Sequence, residues 1–170
     1  VTARELVRKA PTPWKVSFPS SRALPASSPA GPPHVLFLDL PAAAGTGEAI
    51  DQFRIAVWQK PWRRQLVSVS PEEAGFAVRG TVDVPATLGR LVEPLPPGFS
   101  GRLDRVTTIT IELFDADLAS VTTLQLLNGA NAAAVRSASG AWEVLQFQVA
   151  EETSAGIWRL SGLLRGQLGT

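Results

Sequence analysis

Between residues 107 and 114 the chain alternates strictly, with Ile109, Ile111 and Leu113 apolar and Thr108, Thr110 and Glu112 polar between them. An extended backbone sends successive side chains to opposite faces, so a period of two places one face in a core and the other in water. A helix would need a period of 3.6. The same pattern recurs at Phe53, Ile55 and Val57, at Val67 and Val69, and at Phe76 and Val78. It returns at Leu145, Phe147 and Val149, and at Trp158 and Leu160. Residues 34–40 (HVLFLDL) form instead a continuous apolar run closed by Pro41, suited to a strand buried on both faces. Successive runs lie roughly 10 to 15 residues apart, too close for crossover helices and typical of hairpins and meanders. The expected fold is mainly β: an antiparallel β-sandwich or barrel-like module over residues 34–170, with at most one short helix.

Two connections are expected to be hairpin loops, 137–140 and 151–156, on either side of a strand at 141–150. The segment 117–127 supports two readings. Asp117 or Ser120 offers a helix cap, Leu118, Val121, Leu124 and Leu127 recur at helical spacing, and Gly129 stands where a left-handed residue ends a helix. The β-branched Val121, Thr122 and Thr123 favour a strand over 121–127 instead. Residues 1–33 are of another kind. Pro11, Pro13, Pro19, Pro25, Pro29, Pro32 and Pro33 lie among Ser, Ala and Gly. Repeated Pro removes backbone donors and biases its neighbours toward extended conformations, so this stretch reads as an extended arm or linker. Trp14 and Phe18 are its expected anchors.

With 170 residues the chain can bury roughly 70% of the surface it exposes when unfolded, and it needs no staples. It contains no Cys, which excludes disulfides, thiolate metal sites and a cysteine nucleophile. Sixteen basic and fifteen acidic residues leave a formal charge of +1, giving no general pull toward nucleic acid or anionic lipid. Lys occurs only at positions 9, 15 and 60, so the positive charge is nearly all Arg. No run approaches the roughly 20 apolar residues of a membrane helix, and the opening residues do not resemble the basic-then-apolar pattern of a signal peptide. A start at Val1-Thr2-Ala3, with no Met anywhere, suggests a segment of a longer polypeptide.

Reactive chemistry has few places to reside. A triad or imidazole metal site would have to use the single His34, whose bland role is an edge position at a strand start. No cofactor, metal site or catalytic residue is expected. Asp115 and Asp117, two apart, would lie about 6 to 7 Å apart on one face of an extended backbone, loosely within glycosidase range. Glu72-Glu73 and Glu151-Glu152 are adjacent and would point apart. Ala44-Gly45-Thr46-Gly47-Glu48 follows a strand but lacks both the Gly-Lys-Ser/Thr of a P-loop and the third Gly of a dinucleotide fingerprint. The best ligand candidate is aromatic. Trp58 and Trp62 bracket Gln59-Lys60-Pro61, with Arg63 and Arg64 following, a combination able to stack on a sugar and hold acidic groups. The bland alternative packs Trp58 in the core and uses Pro61-Trp62 to anchor a turn.

Several phrases resemble the large baseplate hub protein of gene transfer agents and its relatives among tailed-phage host-specificity proteins. They are Phe37-Leu38-Asp39-Leu40-Pro41, Lys60-Pro61-Trp62 with Val67-Ser68-Val69-Ser70, Pro85-Ala86-Thr87-Leu88-Gly89, and Leu95-Pro96. The longest are Leu127-Asn128-Gly129-Ala130-Asn131-Ala132-Ala133-Ala134, Trp142-Glu143-Val144-Leu145-Gln146-Phe147, and the stretch from Trp158 to Thr170. The likeness spans residues 34–170. It departs at Arg63-Arg64, where Pro-Gly is expected, and at Trp158, where Tyr is expected. The resemblance implies the C-terminal part of a virion-associated structural protein at the tail baseplate, with no catalytic motif to carry over. It further implies contacts with other baseplate proteins and with the rest of a longer chain, and assembly as a homo-oligomer, a trimer, in the particle. A receptor- or glycan-binding module at the tail tip is the alternative. Within the closing phrase, Arg165 can clamp a carboxylate or carbonyls bidentately, either locking this domain to the next or closing a hairpin end inside it.

Overall fold

A computed structural model describes residues 29–40, 54–137 and 139–170. The anchors Trp14 and Phe18, most of the Pro-rich stretch, the 44–48 phrase and Phe53 lie outside the described residues. Within them the chain is mainly β. The elements run β1 (His34–Leu38), β2 (Arg54–Trp58), β3 (Gln65–Val69), β4 (Ala77–Val82), β5 (Gly89–Leu91), β6 (Leu103–Asp104), β7 (Ile109–Leu113), α1 (Thr123–Leu127), β8 (Ala132–Arg136), β9 (Trp142–Ser154) and β10 (Ile157–Gln167).

Every strand pairing is antiparallel, as the short connections require. The main sheet has the order β5-β7-β10-β9-β8. Its spine is the long β9–β10 hairpin. On its other edge β10 pairs first with β7, over Ile157–Leu160, and then with β6, at Leu163 and Leu164. The sheet curls into a half-barrel. Two further ribbons, β1–β2 and β3–β4, have two strands each.

The core is built on the main sheet. Ile109, Leu145, Phe147, Trp158, Leu160 and Leu163 are buried together, and Leu91, Leu95, Ile111, Leu113 and Leu118 pack against them. The two-residue alternation marks Ile109, Ile111, Leu113, Leu145, Phe147, Trp158 and Leu160 among these, but not Leu163, and it also marks Val149, which is exposed. The indole N–H of Trp158 is buried without a hydrogen-bond partner, so this ring is held by packing alone.

Three local expectations need correction. The continuous apolar run at 34–40 is not buried on both faces. It forms one strand of a two-stranded ribbon, and Val35 and Phe37 are exposed. Continuous hydrophobicity fits a central strand, but among the described residues β1 pairs with β2 alone. The 151–156 loop shrinks to a two-residue turn at Ala155 and Gly156, because both acids belong to β9. Glu151 pairs across the ladder with Arg159 (2.7 Å), and the Glu152 carboxylate accepts the Gly156 N–H (3.0 Å).

The helix exists but is one turn long, and neither Asp117 nor Ser120 caps it. Thr122 is the N-cap, in a reciprocal capping box with Gln125. Ser120 is committed elsewhere: its hydroxyl accepts the Ala150 N–H and donates to the Ala150 carbonyl. Val121 likewise donates its N–H to the Gln148 carbonyl. The chain therefore runs extended beside β9 up to Val121 and turns helical after Thr122, so the helical reading holds for 123–127 and the strand over 121–127 does not form. The buried helical residue is Leu126, while Leu124 and Leu127 face water. Gly129 takes φ 92, the left-handed value expected after a helix end.

Candidate functional site

The aromatic candidates fall into two settings. Trp58 closes β2 opposite His34 in the ladder. Its ring meets His34 at 5.7 Å and Phe114 at 5.2 Å, and His34 meets Phe114 at 5.3 Å, all in tilted packing. This trio fastens the β1–β2 ribbon to the end of β7. His34 does start a strand, as expected, but its ring is a packing element between two aromatics. The sequence pattern does not mark Phe114, which follows the last alternating position of β7 and has no periodic partner.

Trp62 is half-buried, and its indole N–H donates to the Asp83 carbonyl at 3.0 Å. Arg64 pairs with the Asp83 carboxylate at 2.7 Å. Asp83 follows β4, so both residues tie the approach to β3 against the exit of β4. Arg63 is exposed, and its guanidinium makes no ion pair among the described residues. The structure thus separates the proposed sugar platform: Trp58 packs on His34 and Phe114, Trp62 and Arg64 grip one aspartate, and Arg63 is left facing solvent.

Asp115 and Asp117 are brought together with Glu152, Ala116 and Gly156 around an open depression of about 310 Å³. Asp115 has left-handed backbone (φ 60) and pairs with Lys60 at 2.9 Å. Both partners are more than half exposed, so this pair contributes at most about 1 kcal/mol. Among the described residues no group of three or more His, Asp or Glu is arranged to hold a metal ion.

Arg165 is the most heavily bonded of the candidates. On β10, 8% exposed, it donates from Nε and Nη2 to the two oxygens of Glu143 (2.7 and 2.6 Å) and from Nη1 to the Pro96 carbonyl. Its own carbonyl accepts the Gly101 N–H at 3.4 Å. The fork geometry of guanidinium and carboxylate makes this a bidentate pair. Hydrogen bonding to Arg165 holds the Glu143 carboxyl below its ordinary range against the opposing effect of burial, and the same bond raises Arg165. The closing Arg-Gly phrase therefore acts within the domain, binding the 96–101 segment to β9 and β10. A Cβ on Gly98 would collide with the Arg165 guanidinium, and one on Gly166 with Ser100, so both glycines are needed for this close approach.

A neighbouring turn was invisible to motif reading. The Asp104 carboxylate accepts the N–H groups of Val106 (2.9 Å) and Thr107 (3.0 Å). Hydrogen bonding, first from the Thr107 hydroxyl and then from these backbone groups, lowers its pKa from 3.8 to about 2. Asp followed by donors two and three residues on is the signature of an Asx turn, and that spacing is the signal available in the sequence.

A family model described as Rcc01698-like, C-terminal matches residues 86–170. The match takes in β5 to β10, the whole curled sheet, and starts after the two ribbons. It is narrower than the 34–170 span of the resemblance, so the phrases at 37–41 and 60–70 lie outside it. No curated protein matches the chain.

Proposed function

The chain belongs to the Rcc01698-like, C-terminal family, and from that membership we propose that it is a structural contact module of a phage-like or gene-transfer-agent particle, seated at the tail baseplate. In this reading it is the C-terminal part of a hub or host-specificity protein. It contacts other baseplate proteins and the remainder of its own longer chain, is present as a trimer, and turns over no substrate.

The observation that carries the reading is the state of the β3–β4 ribbon. Among the described residues it has two strands, and Leu66, Val78 and, just before β4, Phe76 are more than half exposed. A two-stranded ribbon is marginally stable in water by itself, and exposed large apolar side chains on it favour a covering surface. Contact is also what the polar candidates allow, since Trp62, Arg64 and Arg165 are already engaged within the chain. No helix among the described residues is long and apolar enough to cross a membrane.

Particles purified from producing cells, probed with an antibody raised against residues 34–170, should contain this chain at a copy number divisible by three. Its absence from tail fractions ends the proposal. Glycan binding through Trp62 and Arg63 is the rival, separated by a cell-surface glycan array on the wild type and Trp62→Ala. Specific binding lost in that variant would replace the contact reading.

A further inference from the structure

We propose that the loop 97–106 is a preformed protein-docking element, and that its partner is a carboxylate-bearing protein surface with an apolar recess. The inference rests on the contact reading above and names the surface that makes the contact.

The loop carries the most exposed large apolar side chain described, Val106 at 90%, together with Phe99 at 62%. Exposed apolar tips on a floppy loop would mean little, because ordering them on binding would offset the gain. This loop is pinned at both ends. Arg165 holds the Pro96 carbonyl from one side, and Ser100 bridges to Arg165 in the ladder. Gly101 donates to the Arg165 carbonyl, and the bidentate grip of Glu143 fixes Arg165 itself. At the far end β6 pairs with β10, and Asp104 ties down the N–H groups of Val106 and Thr107. Val106 therefore stands at the tip of a turn whose donors are already satisfied. Arg102 lies over the Phe99 ring at 3.7 Å, a cation–π contact that orders both side chains in advance.

Charge selects the partner. Arg102 and Arg105 are exposed, and neither makes an ion pair among the described residues. The carboxylate between them in sequence, Asp104, has its oxygen turned to backbone donors. The loop thus offers two cations and two apolar groups from a rigid frame. Arginine beside aromatic and aliphatic anchors is the composition of interface hot spots, and rigidity removes the ordering cost that usually weakens loop contacts. A surface with carboxylates around a valine-sized recess is complementary to it.

These 170 residues contain no Cys, so a thiol introduced within them is read unambiguously on the proteolytic peptide that carries it. Val106→Cys and, as a control at the opposite end of β10, Ala155→Cys are introduced singly into the full parent chain. Each variant is reacted with a maleimide dye in the free chain and in purified particles. The thiol introduced by Val106→Cys should react at least ten-fold more slowly in particles, while the one introduced by Ala155→Cys reacts equally in both. Combining Val106→Cys with Arg105→Glu, which breaks no internal bond, should restore the free-chain labelling rate and leave the thermal unfolding of the free chain unchanged. Particles that contain the Val106→Cys chain but label it at the free rate overturn this inference and leave the contact reading standing. Equal protection of both thiols indicates general enclosure and also overturns it, as does protection of the Val106→Cys thiol in the free chain by anionic lipid vesicles. Particles that lack the chain defeat the contact reading, and this one with it.

Discussion

Arg165 shows how one side chain can organise a region larger than itself. Its three donor positions reach a carboxylate on β9 and a carbonyl 69 residues away in sequence. Removing one member of a buried pair leaves the other without compensation. Arg165→Met should therefore destabilise the domain by about 3 kcal/mol in denaturant unfolding, toward the low end of such losses because Glu143 keeps some access to water. Arg165→Lys should recover little, since an ammonium cannot fork onto both oxygens. Acid should act on the same region. Asp104 and Glu143 both have folded-state pKa values below their ordinary ones, so the native state binds these protons less readily than the unfolded chain does. Their contribution to stability is complete above the ordinary carboxylate range and is lost as pH falls. For Asp104 the window runs from 3.8 down to about 2. Unfolding free energy should stay level near neutrality and drop below about pH 4, with a shallower drop in Asp104→Asn, measured by urea titration across that range.

At the scale of elements, length and neighbours decide what propensity leaves open. The helix α1 has five residues, too few to stand on propensity, and is held by the Thr122–Gln125 box and by burial of Leu126. Thr122→Ala should cost about 1 kcal/mol in equilibrium unfolding, and Thr122→Ser should cost much less. The strands divide into two grades. β9 and β10 are long, mutually paired and flanked on both sides by other strands, whereas among the described residues β1–β2 and β3–β4 pair only within themselves. Hydrogen exchange by mass spectrometry should show the ribbon amides exchanging at least ten-fold faster than those at 144–149 and 157–164. The alternation in β3 and β4 was legible and produced strands, but it did not produce burial: Val78 and Val69 remain largely exposed. Period records which residues share a face, and only a covering layer decides whether that face is dry.

For the whole molecule, the family match and the curled sheet coincide. Residues 86–170 hold the core cluster and the Arg165 clamp, and they form a sheet that closes on its own apolar face. The two ribbons precede it, and β1–β2 is joined to it through the His34–Trp58–Phe114 trio, with the Lys60–Asp115 pair just past β2 and the Ala86 N–H donated to the Val57 carbonyl. This division places the apolar surplus on the ribbons and on the 97–106 loop.

Polarity at a period of two, with turn chemistry every dozen or so residues, determined by itself that this chain would be antiparallel β and that Ile109, Leu145, Phe147, Trp158 and Leu160 would face inward. Those are local properties, encoded in neighbours two apart. The exposure of Val149 and the burial of Leu163 were left to the tertiary structure. Whereas the Asp104 turn is local, the roles of Arg165, Trp62 and Phe114 were decided by the tertiary structure. Most depend on a partner brought close by sheet curvature or by ladder register, from Pro96 beneath Arg165 to His34 against Phe114. Sequence spacing carries no record of such contacts, because they arise only when strands far apart in the chain are laid side by side.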